Sequence, residues 1–76
     1  MLTGVKLMTY AQKIKKLREV LLLTQQELAD LLGVSIVTVN RWETGKFEPT
    51  IKIKRKLVEL FKINNLKFEE DYNDRY

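Results

Sequence analysis

With 76 residues and neither histidine nor cysteine, the chain can hold one modest core, with no disulfide or zinc site to brace it. No apolar run approaches the ~18 residues of a membrane span, and the longest, Val20 to Leu23, is too short for a signal-peptide core, so the cytoplasm is the expected location. Twelve basic residues stand against six acidic ones over 1–66 and two against four over 67–76, a basic body with an acidic tail, which suits a polyanionic partner.

Residues 1–9 show no periodicity and read as a loosely ordered extension, within which Met8 is a second candidate start. The folded domain is expected over 10–66, and 67–76 as the acidic tail. Tyr10, Ile14, Leu17 and Leu21 follow the spacing of one helix face, with Lys13, Lys15, Lys16 and Arg18 elsewhere, which predicts a first helix from Tyr10 to Leu22. Thr24 then stands three residues before Glu27, the spacing of a capping box, and opens a second helix with Leu28, Ala29, Leu31 and Leu32 as its buried side. Gly33 ends it, since glycine takes the left-handed conformation at no steric cost. Ser35 caps a third helix over Ile36 to Glu43, which Gly45 closes. Beyond Pro49, Thr50 begins a fourth helix carrying the stripe Ile53, Leu57, Leu60 and Phe61. Asn64 and Asn65 break the pattern. From Leu66 onward the residues fit either a short fifth helix, packing Leu66 and Phe68 on the core, or an irregular tail.

Two short helices joined by a glycine-led turn form the skeleton of a helix-turn-helix, here from about Gln25 to Thr44. Ala29 lies where the two helices approach closely, while Val34, Val39 and Trp42 supply the apolar contacts that hold the third helix at a steep angle to the second. The stretch LTQQELADLLGVSIVTVNRWETGKFEP, Leu23 to Pro49, resembles the phage repressor and Cro-like, or XRE, helix-turn-helix family. The resemblance runs from about Ile14 to Phe61. It implies an all-α, lambda-repressor-like bundle of four or five helices whose third helix enters the major groove of double-stranded DNA, usually as a homodimer on a palindromic operator. The expected function is that of a transcriptional regulator, read as a repressor, although the sequence leaves repressor or activator equally open. It also implies that Gln25 contacts the DNA backbone and that Arg18 and Glu43 form a partly buried structural ion pair.

The third helix supports this independently. At about 100° per residue, Ser35, Val39 and Trp42 share one side, Val37, Asn40 and Thr44 point away from it, and Ile36 and Arg41 flank them. Two branched aliphatics beside an amide, a guanidinium and a hydroxyl make a poor solubilising face but a good base-reading one. Ile36 and Val37 can meet thymine methyls, Arg41 can fork onto guanine and Asn40 onto adenine. Gln25 begins the second helix, where free N–H groups favour a phosphate. Ser35 is needed as a cap and, with Thr38, is a second backbone candidate, as is Lys46 in the loop beyond the third helix. Phe47 either packs there or faces the backbone. Trp42, on the Val39 side, reads as core. The basic run from Lys52 to Lys56 is either a solvated face or a phosphate contact.

Other function classes fit less well. An enzyme is not expected: there is no histidine or cysteine, Ser35 is the sole serine, and there is no glycine-rich loop or carboxylate pair in an apolar setting. Neither a metal nor a cofactor is expected. No stacking platform for RNA is visible. The competing reading is an antitoxin on the same fold, binding a protein partner through the tail residues Phe68, Glu69, Glu70, Asp71, Tyr72 and Tyr76; that tail can equally serve as a dimer interface.

Overall fold

Each helix begins at a hydroxyl, and a residue with positive φ follows within two residues of its end. The computed structural model describes residues 8–67, and within them the chain forms α1 (Tyr10–Leu21), α2 (Gln25–Leu32), α3 (Ile36–Glu43) and α4 (Ile51–Ile63), with no strand among the described residues. Thr9, Thr24, Ser35 and Thr50 are the N-caps, each side chain accepting from the backbone N–H three residues on. At Thr9 and Thr24 the bond is reciprocated, by Gln12 and Glu27, to complete capping boxes. The ordered body therefore starts before Tyr10: Thr9, placed in the extension by its lack of periodicity, is the cap of α1, and Met8 packs against the core.

At the other ends, Leu22, Gly33, Gly45 and Asn65 take φ of 58°, 73°, 78° and 56°. In each case the next amide reaches back to a carbonyl of the last turn, Leu23 to Arg18 at 2.9 Å, Val34 to Ala29 at 2.9 Å, Lys46 to Arg41 at 2.9 Å and Leu66 to Phe61 at 2.8 Å. This is the Schellman closure. Glycine was legible as a terminator at Gly33 and Gly45, whereas Leu22 gives no such signal and holds a conformation that normally costs a residue with a Cβ about 1–2 kcal/mol.

The core consists of Ile14 and Leu17 from α1, Leu28, Ala29 and Leu32 from α2, Val39 and Trp42 from α3, and Leu57 and Phe61 from α4. Tyr10, Leu21, Leu23, Val34, Ile53, Leu60 and Leu66 pack around it. Here α2 packs on α3, α3 on α1 and α1 on α4, which leaves one side of α3 free. Two side chains depart from the sequence expectation. Leu31 is 54% exposed. It lies about 60° from Leu28 on the side away from Ala29 and Leu32, outside the buried arc. Lys13, expected off the apolar stripe, is buried to 2% exposure. Its ammonium sits 4.6 Å from the centre of the Tyr10 ring. Leu66 does fold back on the core, but without a fifth helix up to Lys67; Phe68 and the rest of the acidic tail lie outside the described residues.

Candidate nucleic-acid interface

The α2–turn–α3 unit is held at both ends of its helices. Ala29, with no exposed surface, lets α2 approach α3, while Val39 and Trp42 occupy the inner side of α3. At the opposite end, Arg18 of α1 donates to Glu43 twice, Nε to Oε2 at 2.7 Å and Nη2 to Oε1 at 3.0 Å. The same guanidinium donates from Nη1 to the carbonyl of Leu23 at 3.2 Å. Gln25, at the start of α2, completes the group by donating Nε2 to Oε1 of Glu43 at 3.0 Å. A two-pronged ion pair therefore ties α1, the start of α2 and the end of α3 together. Burial alone would raise the Glu43 carboxyl, but the hydrogen bonds from Arg18 and Gln25 and the charges of Arg18 and Lys15 outweigh it and hold the group below its ordinary range. The bond to Glu43 raises Arg18 in turn, against the effect of burial.

What remains on α3 is exposed. Ile36 and Val37 keep 40% and 52% of their surface in solvent, and Asn40 and Arg41 are exposed beside them. These four residues form one contiguous outward face. Thr44 belongs to it less fully than its angle suggested. As the C-cap of α3, it shares its hydroxyl between the carbonyls of Asn40 at 3.0 Å and Arg41 at 3.3 Å, leaving only lone pairs for an outside group.

The residues around that face have identifiable free donors. Gln25 turns its side chain inward to Glu43, but its Nε2 has a second proton, and the first amides of α2 lack intrahelical acceptors. The hydroxyls of Ser35 and Thr38 lie 3.0 Å apart while Ser35 caps the amide of Thr38. Two hydroxyls sharing one bond leave one proton for an outside acceptor. Lys46 occupies a telling position. The residue after the left-handed one is apolar and packed on the core at Leu23, Val34 and Leu66, whereas at the end of α3 it is an exposed lysine. The nearby carboxylates are neutralised, Glu43 by Arg18 and Glu48 by Lys54 at 3.0 Å, so neither opposes an anion at this surface.

Further pairings escape the sequence pattern. Lys54 stands 4.7 Å from the Tyr10 ring as well as on Glu48, and Arg41 stands 5.5 Å from the ring of Phe47. The roles of Gln25 within the ion pair and of Phe47 beside Arg41 lie in contacts made across turns, which periodicity does not reveal.

A capped pair of short helices with one inner face buried and the other open defines a helix-turn-helix. The helix-turn-helix family model matches residues 14–64, and the chain belongs to that family, the Cro-like, or XRE, group of DNA-binding proteins rather than enzymes. An uncharacterized HTH-type transcriptional regulator of Methanocaldococcus jannaschii is 39% identical over 61 residues, covering 78% of this chain and 92% of its own. Another, of Archaeoglobus fulgidus, is 36% identical over 58 residues, covering 76% of this chain and 78% of its own. No solved structure matches the chain significantly. Among the described residues, no group of side chains is arranged to hold a metal ion, and no helix is long and apolar enough to cross a membrane.

Proposed function

We propose that the chain is a sequence-specific transcriptional regulator, a repressor acting in the cytoplasm, that inserts α3 into the major groove. The observation that carries this reading is the division of α3 into a buried side, Val39 and Trp42, and an exposed side, Ile36, Val37, Asn40 and Arg41, with the chemistry of base edges. In this assignment Arg41 forks onto a guanine, Asn40 pairs with an adenine, and Ile36 and Val37 meet thymine methyls. Thr44 contributes as an acceptor at the end of the row. Gln25, Ser35, Thr38 and Lys46 hold phosphates and set the register without selecting sequence.

The eight residues of α3 extend ~12 Å at 1.5 Å each, the length of three or four stacked base pairs. So short a site supports binding as a homodimer to a palindromic operator, with half-sites one turn of DNA apart. Selection of bound duplexes from a random pool tests the reading. The expected product is a palindrome bound at least ~10³-fold more tightly than random duplex at moderate salt. Equal affinity for selected and random duplex would overturn base readout by α3.

A further inference from the structure

We propose that Phe47, a residue outside α3, is a positioning residue for base recognition: its ring holds the Arg41 guanidinium in the plane from which it forks onto a base. This rests on the base-reading role of Arg41. The geometry begins with the end of α3. Gly45, at φ 78°, turns the chain so that its own amide returns to Trp42 at 3.1 Å and that of Lys46 to Arg41 at 2.9 Å. The Phe47 amide also points at the Arg41 carbonyl, at a longer 3.4 Å. Pro49, buried two residues on, fixes the other side of the loop. Phe47 is thereby held against the residue whose carbonyl receives the turn, and the guanidinium carbon of Arg41 lies 5.5 Å from its ring centre.

Burial does not explain the ring's position. Phe47 stays 58% exposed and lies outside the core and the apolar residues packed on it. What it contacts is the longest side chain of the reading face. The two uses of the guanidinium are compatible, because its donors lie in the molecular plane: with its charge over an aromatic ring, its edge can still fork onto two acceptors. A free arginine must give up several rotamers to form such a fork. One already restrained by a ring gives up fewer, so the contact favours the complex.

The test begins with the operator selected by the unaltered protein and assigns the base pair that depends on Arg41 from the Arg41→Ala variant. Competition binding then measures discrimination at that pair, and at one unaffected by Arg41, for Phe47→Ala, Phe47→Leu and Phe47→Tyr. An exposed cation–π contact predicts a ~2- to 5-fold loss of discrimination at the Arg41 pair for the alanine and leucine variants. The tyrosine variant should retain it, and the second base pair should be read as before. In an Arg41→Ala background, Phe47→Ala should change nothing further at that pair. Unchanged discrimination in Phe47→Ala, or an equal weakening on every sequence, overturns the inference while leaving the role of Arg41 intact. If Arg41→Ala itself alters no base preference, the failure lies instead with the base-reading assignment. Trp42 fluorescence in urea reports whether each variant keeps its fold.

Discussion

Replacing Glu43 by glutamine removes the charge at the junction of three helices while preserving the side chain's shape. The Glu43 side chain is 6% exposed and Arg18 20% exposed, so the substitution leaves a part-buried guanidinium with its bond to Leu23, a weaker one to the new amide and the nearby charge of Glu19. Loss of one partner from a fully buried pair costs ~3–5 kcal/mol. Water reaches a fifth of Arg18, which lowers the expected loss to about 2–3 kcal/mol. Against the ~4–11 kcal/mol total stability of a chain this size, that is a large fraction. Urea unfolding followed by Trp42, the single tryptophan, measures it. The pH dependence gives a second check. Glu43 has its pKa lowered by folding, so its contribution is fully present above the ordinary carboxylate value of ~4.3 and is lost as pH falls through the lower, folded-state value. Glu43→Gln should flatten that limb of the stability curve. A loss below ~0.5 kcal/mol, as for an exposed pair, together with an unchanged acid limb, would refute the claim that this pair clamps the fold.

Three further outcomes are expected from the same contacts. Leu22→Gly should stabilise the chain by about 0.5–1 kcal/mol in urea unfolding, because Leu22 is left-handed and 88% exposed, so relieved backbone strain exceeds the small packing loss. Gly45→Ala should destabilise by about 1 kcal/mol in the same assay, although nothing lies within 4 Å of an added Cβ, since the penalty is conformational rather than steric. Lys46→Ala should weaken binding to all duplexes alike and reduce the slope of log K against log salt by about one, as a titration at several salt concentrations would show.

The features legible in the sequence were those written in neighbouring residues. A hydroxyl three positions before a free amide and an apolar residue every third or fourth position are local conditions, and they located Thr24, Ser35, Thr50 and the core residues of all four helices. The cap at Thr9 obeys the same rule but was hidden because the residues before it have no pattern. Contacts between distant residues were less accessible. Family resemblance supplied the Arg18–Glu43 pair, yet neither resemblance nor spacing showed that Gln25 joins it, since an amide at a helix start serves a phosphate or an internal carboxylate equally well. Lys13 was misplaced because a charged residue at the edge of an apolar face can bury its stem and keep its ammonium on an aromatic ring.

The inward turn of Gln25 links stability to recognition. Its side chain bonds the carboxylate at the end of α3, while the free amides of its first turn are the donors α2 would offer a phosphate in the proposed complex. A shift of Glu43 would therefore move the start of α2 and the end of α3 together, and with them the angle at which Ile36, Val37, Asn40 and Arg41 meet a groove in the proposed complex. In the proposed complex, phosphate contacts through α2 and base contacts through α3 would share one anchor. A substitution at Glu43 should then lower operator affinity more than it lowers affinity for random DNA, even under conditions where the protein remains folded, because misalignment by an ångström spoils a forked contact and leaves charge attraction almost unchanged. Equal losses on both kinds of DNA would place the ion pair in the scaffold alone.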